Sequence, residues 1–229
     1  DENFMSSVFD LASDPAAFAT ERDRFLASLA GLGADAEQAA DALRRLWKLG
    51  IDPIPLMAEL LEDKGVKVIA LDLPENVSGS KAFVQRPDRH DVPVIVVNQG
   101  HNGERQRFTL AHELAHLVLR FSGLSDAEQE KAADRFAGAF LMAKDMVLQL
   151  LGPHRTSISI GELAELKKLF KVSIASLVVR CSQLGIIPKA VYGRLWAQIK
   201  DLGWNSQASG EPGTLKAEVP QRMERLCFR

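Results

Sequence analysis

Scarcity narrows this chain before any motif is read. Its 229 residues include two cysteines, Cys181 and Cys227, too few and too far apart for a disulfide framework or a cysteine-ligated zinc site. Both are expected to be ordinary thiols in a reducing cytoplasm. No apolar run reaches the length of a membrane span, and the charged, broken N-terminus lacks the pattern of a secretory signal, so no membrane partner is expected. Charge of one sign is also missing: 28 basic against 30 acidic residues leave a formal net charge of -2. That balance excludes a global pull toward nucleic acid or anionic lipid, so any DNA contact would need a local patch. No internal repeat is present.

What remains is the make-up of a globular protein, with 46% hydrophobic and 25% charged residues, enough to bury a core in one domain or in one domain with a small appendage. Within it, Thr109-Leu110-Ala111-His112-Glu113-Leu114-Ala115-His116 contains H-E-x-x-H. On a helix a four-residue step leaves two side chains only about 40° apart, so both imidazoles can grip one metal ion. Glu113 then lies beside the metal without ligating it, placed to take a proton from an activated water. Leu110, Leu114, Leu117 and Val118 recur at three- and four-residue spacing and give the same helix a core-facing stripe.

Catalytic zinc usually takes three protein ligands, so another donor is expected nearby. Ser125-Asp126-Ala127-Glu128 reads as a capping box that opens a helix running to about Met142, with Ala133, Phe136, Ala137, Phe140 and Leu141 as its inner stripe. Glu130 and Asp134 are four apart on that helix and can both look back at the histidines. Glu130 is assigned as third ligand, and Asp134 as the carboxylate that accepts a hydrogen bond from a ligand histidine and fixes its tautomer. Glu128 is the competing donor, but the capping box already engages it.

These residues carry a resemblance. The run from Arg105 to Leu117, then Glu130-Lys131-Ala132-Ala133-Asp134-Arg135-Phe136-Ala137 and Phe140-Leu141-Met142, resembles the ImmA/IrrE family of metallo-endopeptidases over about residues 40–200. The resemblance implies zinc at His112, His116 and Glu130, Glu113 as general base, and action in the bacterial cytoplasm on helix-turn-helix repressors that control stress, phage or mobile-element genes. A His-His-Glu donor set also accepts manganese, cobalt or iron. The sequence departs from the family at Ala143, where a proline is usual, and shows no separate DNA-binding domain ahead of the peptidase. Its start at Asp1 without a methionine and its stop partway through an amphipathic segment are the pattern of a fragment.

Periodicity and punctuation predict helices at 15–29 and 36–49, broken by Gly31-Leu32-Gly33, and a short helix at 53–63 opened by Pro53-Ile54-Pro55. Three short β-rich segments, 66–71, 77–84 and 93–98, predict a three-stranded sheet beside the catalytic helices. The fold expected is α+β and zincin-like, mostly helical, with a helical C-terminal region. The division expected is 1–152 for the N-terminal helices and peptidase core, 153–204 for the C-terminal helices, and 205–229 for a loop or tether and the chain end. Ser78, Gly79 and Ser80 are the candidate substrate-binding residues. In gluzincin-like folds an edge strand above the metal binds peptide by β-addition, and small residues let another backbone approach. An ordinary hairpin with a glycine bulge is the plainer alternative.

Residues 160–177 have the form of a helix-turn-helix, but the second helix offers only Arg180 as a strong phosphate or guanine partner. A structural or substrate-docking helix pair is therefore expected, and DNA contact is not expected from this chain alone. Tyr192, His154 and His90 are the candidates for stabilising an oxyanion, and no spacing singles one out. Two functions follow: a zinc endopeptidase that cuts a helix-turn-helix repressor, or a metal-stabilised regulatory module that binds a repressor or DNA without turnover. Glu113 favours the first, because a pure binding module has no use for a base beside an open coordination position.

Overall fold

The computed structural model describes residues 35–86, 89–119, 121, 123–204 and 210–218. The helix expected at 15–29, the Gly31-Leu32-Gly33 break and Cys227 lie outside these residues. Described in chain order are α1 (Ala36–Leu46), α2 (Met57–Asp63), β1 (Lys67–Leu71), β2 (Gly79–Arg86), β3 (Arg89–Asn98), α3 (Gly103–Val118), α4 (Asp126–Leu141), α5 (Lys144–Leu151), α6 (Ile160–Phe170), α7 (Ile174–Gln183) and α8 (Lys189–Asp201). The architecture is α+β, a small sheet beside a larger helical assembly.

Helix ends follow from local chemistry. Asp35 caps α1 by accepting from the backbone N–H of Glu37 and Gln38, and the helix stops at Leu46, short of residue 49, because Lys48 and Gly50 adopt left-handed backbone angles. The short second helix begins at Met57 and not at the prolines. Each proline biases the residue before it toward extended backbone, and the carbonyls of this stretch serve other donors: Arg44 donates to Asp52 O, Arg107 to Ile54 O and Lys171 to Pro55 O.

The sheet order is β1-β3-β2, with β1 parallel to β3 and β2 antiparallel to it. Thus the second strand in sequence is an edge strand. Pro93 lies in the central strand, where a missing N–H would ordinarily break a ladder. It is tolerated because the β1 pairing begins one residue later, at Val94, so β3 has a neighbour on one side only at Pro93.

The core gathers the inner faces of the helices and the sheet: Leu110, Leu114, Phe136, Phe140, Ile95, Leu163 and Leu177 are all buried. α3 packs on α4, and each carries two fully buried alanines, Ala111 and Ala115 on α3 and Ala133 and Ala137 on α4, small residues that let helix axes approach closely. The sheet covers another flank of α3. An added Cβ on Gly79 would come within 2.5 Å of Thr109 Cγ2 and 2.6 Å of Val96 O, so only glycine fits between strand and helix.

Of the stretch expected to be a loop or tether, residues 210–218 form a loop packed on the fold. They lack regular structure, yet Glu211 and Glu218 are buried. Glu218 pairs with Arg107 of α3 at 2.5 Å and accepts from Ala58 N. Glu211 pairs with Lys167 of α6, which also meets Glu104 of α3 at 2.6 Å, and accepts from Ile174 N at the start of α7. Gly103 has no room for a Cβ because Lys216 O would lie 2.2 Å from it. The composition rich in Gly, Ser, Pro and Glu is that of a solvated linker, and the deciding pairs span too much sequence to be read locally.

Removing one partner of a buried ion pair leaves an uncompensated charge and costs about 3–5 kcal/mol. Glu218→Ala should therefore lower the unfolding free energy from a urea titration by that amount, with a lower midpoint, while an apolar pair, Arg107→Met with Glu218→Leu, should recover most of it. A Glu218→Ala midpoint equal to that of the parent would remove this segment from the cooperative fold.

Candidate metal centre

Viewed down α3, four surroundings divide the helix. Gly103, Leu110, Leu114 and Arg107 point to the core and the C-terminal segment, Ala111 and Ala115 to α4, and Thr109 to the sheet. His112 and His116 fall on the remaining face, in the angle between sheet and α4, with Glu113 at its sheet-side edge.

Across that angle stands the first half of α4. Its start is the expected capping box: Glu128 Oε2 accepts from Ser125 N at 2.9 Å and from Ser125 Oγ at 2.6 Å. Those bonds hold the Glu128 carboxyl below the usual range and keep it at the helix start. Glu130 reaches the histidines instead. His112 Nε2 and His116 Nε2 are 3.2 Å apart, and the Glu130 carboxylate spans them, Oε2 at 3.2 Å from His112 Nε2 and Oε1 at 3.2 Å from His116 Nε2. Tetrahedral zinc with bonds of about 2.0–2.1 Å sets its ligand atoms about 3.3 Å apart. The two nitrogens therefore have the spacing such an ion requires, a carboxylate oxygen stands at the same distance from each, and imidazole nitrogen and carboxylate oxygen are donor types zinc takes. A tetrahedral ion held by these three residues would keep a fourth position for water or substrate. Among the described residues this is the group of histidine, cysteine and carboxylate side chains that could hold an ion.

Asp134, one turn beyond Glu130, accepts from His112 Nδ1 at 2.9 Å. With the proton on Nδ1, the Nε2 lone pair is free to face the ion. Burial opposes a charge on His112, but Asp134, aided by Glu113 and Glu130, outweighs it and raises the imidazole's pKa. His116 moves the other way, lowered by burial, by Lys81 and by the neighbouring His112. Its ring is also tilted against Phe121, centroids 5.2 Å apart.

Glu113 is partly buried, and that burial raises its pKa over the opposing influence of His112 and Lys81. A carboxyl shifted upward is a better proton acceptor near neutral pH than an exposed one. Lys81 has no motif around it and escaped the sequence reading. Its only signal there is the alternation of β2, which puts it on the same face as Gly79.

The candidate substrate residues occupy the start of β2 and the residue before it. Ser78 Oγ accepts from Arg105 Nη2 at 2.6 Å, and its carbonyl accepts from Asn98 N. Ser80 is exposed. Gly79 is small because α3 and β3 crowd it from within, which differs from the expected reason, room for an incoming backbone. The register shift in the β2–β3 hairpin falls between Val84 and Arg86, away from the glycine. Of the oxyanion candidates, Tyr192 stacks on Trp196 in α8, His154 is exposed between α5 and α6, and the His90 side chain lies outside the described residues.

The helix-turn-helix form is present in α6 and α7, joined through Lys171 in a left-handed conformation. Arg180 does not face outward. It is buried, donating to Met142 O and, through both terminal nitrogens, to Glu37 at 2.8 and 2.5 Å. The N-terminus of α7 is buried against Glu211, so the end that would enter a groove is covered by a carboxylate. Cys181 is buried in the same helix and its thiol is pushed up to about 11 by burial, as befits a packing residue. Ala143, standing where the resemblance leads one to expect proline, caps α5 with φ of -53°, an angle proline also adopts.

A family model described as the IrrE N-terminal-like domain, Peptidase_M78, matches residues 61–182. The radiation response metalloprotease IrrE of Deinococcus radiodurans is 31% identical over 108 residues, covering 42% of this chain and 32% of that protein. The chain thus matches about a third of that relative's length. A solved structure described as a Mycobacterium tuberculosis transcriptional regulator is similar with a TM-score of 0.43 at 23% identity, covering 72% of this chain and 52% of that one. Among the described residues no helix is long and apolar enough to cross a membrane.

Loss of a carboxylate that orients a ligand histidine typically weakens metal binding about 10- to 100-fold, and Asp134→Ala should do so in a zinc titration at pH 8. The pH profile adds a second reading. A proton on His112 competes with the ion, so affinity in the parent should begin to fall, as acid is added, at a higher pH than an unshifted histidine would set. Asp134→Ala removes the group that raises the pKa, and the onset should move to lower pH. Parental affinity and onset in the variant would separate Asp134 from the metal.

Proposed function

The chain belongs to the Peptidase_M78 family through its IrrE N-terminal-like domain, and on that premise we propose that it is a zinc-dependent endopeptidase whose substrate is a helix-turn-helix transcriptional repressor. The observation that carries the peptidase reading is the convergence of His112, His116 and Glu130 with a partly buried carboxyl, Glu113, next to them and outside the donor set. The repressor as substrate rests on the family resemblance, and the release of stress, phage or mobile-element genes would follow from its cleavage. A cytoplasmic location fits such a target.

His112, His116 and Glu130 are the residues that would hold the ion, and Asp134 would orient His112. A bound divalent ion supplies Lewis acidity, which lowers the pKa of a water and polarises the scissile carbonyl. The remaining work falls to side chains and backbone of this chain. Glu113 takes a proton from the water as its oxygen attacks the carbonyl carbon. As the C–N bond breaks, the same carboxyl returns that proton to the leaving nitrogen. The open edge of β2, at Ser78, Gly79 and Ser80, offers main-chain groups to an extended substrate, which would lie along the sheet beside the metal face.

The alternative, a metal-stabilised binding module without turnover, makes no use of a base outside the ligand set. Glu113→Gln separates the two. Zinc content and thermal midpoint should stay near those of the parent. Incubated with the repressor encoded beside its gene, the variant should still capture that protein in a pull-down, while mass spectrometry finds at least a 100-fold loss of the cleavage product. The parent should cut in a chelator-sensitive manner. If the variant relieves repression in a reporter as fully as the parent does, hydrolysis is not the mechanism.

A further inference from the structure

Nothing so far stabilises the negative charge that develops on the scissile carbonyl, beyond what an ion would supply. The fold points to a side chain for that task. β3 passes through only four residues, Gln99 to Asn102, into α3, so the helix turns back along the sheet. Because β2 is antiparallel to β3, it runs in the same sense as α3. Gly79 touches α3 at Thr109. Two residues along a strand advance about 6.6 Å, and four residues along a helix about 6 Å. Side chains alternate along β2, so Lys81 returns to the helix-facing side one step on, abreast of Glu113.

Three further observations agree with this placement. Lys81 pairs with Ile95 as Gly79 pairs with Val97, and both of these β3 partners lie in the hydrophobic core, on the helix-covered face of the sheet. Lys81 itself is exposed, so its four-carbon stem can extend over the cleft. Among the described residues no carboxylate forms an ion pair with it, whereas Lys167 and Lys168 are both paired. A cation without a carboxylate partner among the described residues, on the edge strand beside the base, is within reach of the place where an oxyanion would form.

We propose that Lys81 is a catalytic residue whose ammonium donates a hydrogen bond to the carbonyl oxygen of the scissile peptide as that oxygen gains charge. This deepens the peptidase reading above and rests on it. The balance is simple. The water oxygen bonds to the carbonyl carbon, its proton passes to Glu113, and the π pair moves onto the oxygen held by Lys81. When the pair returns, the C–N bond breaks and the nitrogen takes the proton from Glu113. Lys81 keeps all of its protons throughout.

The test uses the zinc-loaded 229-residue chain and the best-cut member of a quenched-fluorescent decapeptide library, with Lys81→Met and Lys81→Arg. Removing an oxyanion donor lowers kcat about 100- to 1,000-fold in well-studied hydrolases, and Lys81→Met should lose at least about 100-fold in kcat with KM within about threefold. Lys81→Arg, which keeps the charge, should recover at least about tenfold of that loss. Affinity for a phosphinic analogue of the same peptide, whose tetrahedral anion mimics the intermediate, should fall in step with kcat/KM. Affinity of the Glu113→Gln background for the uncut peptide should not change when Lys81→Met is added. Parental kcat in Lys81→Met, or a rise in KM alone, overturns the role of Lys81 and leaves the peptidase standing. A zinc-loaded parent that cuts neither the library nor the repressor overturns the peptidase reading itself, and the role of Lys81 with it.

Discussion

The site depends on how closely α3 approaches α4. Two histidines one turn apart give a pair of nitrogens, but a third donor at 3.2 Å must come from a different element. A glutamate side chain spans only a few ångströms. The two helices must therefore pack closely enough for glutamate and histidine side chains to meet between them. Alanine at 111, 115, 133 and 137 permits this, each fully buried in the seam. A leucine at any of them would push the axes apart and take Glu130 out of reach without touching a ligand.

Position along the axis matters as much as distance, and buried cations set it. The C-terminal carbonyls of a helix have no partners within it. In α4 and just beyond, two of them are taken by arginines from other elements: Arg44 of α1 donates to Phe140 O at 2.6 Å and Arg180 of α7 to Met142 O at 3.0 Å. Glu37 of α1 gathers Arg135 and Arg180, so α1, α4 and α7 are joined by one carboxylate. These bonds fix α4 lengthwise at the end away from the metal face, and Glu130 and Asp134 inherit that placement.

Local patterns in the sequence were legible and distant ones were not. The two histidines, the glutamate beside them, the capping box at Ser125 and the stripe through Phe136 and Phe140 all involve residues three or four apart, where helix geometry alone decides which side chains meet. The three strands were legible as segments, while their order was not, because β1 meets its parallel partner β3 only after the chain has passed through β2 on the far side of β3. The prolines before α2 misled for a related reason. Proline is compatible with a first helical turn, yet the carbonyls around it were claimed by Arg44, Arg107 and Lys171, the last two of which lie 53 and 116 residues away from their partners. Glu211 and Glu218 look like solvated linker charges for want of any local cue to Lys167 and Arg107. Lys81 was missed because a single lysine in a strand carries no motif until the strand is seen beside α3.

One helix thus serves two purposes on opposite sides. Gly103, Glu104 and Arg107 bind the C-terminal segment, and His112, Glu113 and His116 face the cleft about two turns further on. An α-helix transmits an axial displacement with little compression, since each turn is closed by its own hydrogen bonds. Whatever position Glu218 and the Lys167 cluster impose on the first turns of α3 is therefore the position at which the imidazoles meet Glu130. The C-terminal segment touches no donor atom of the metal site, yet its buried charges belong to the same rigid unit. Sub-ångström geometry at the metal face is in this sense maintained from the far side of the helix. That explains why a stretch without regular structure is held by two buried glutamates, when a few apolar contacts would have been enough to cover the core.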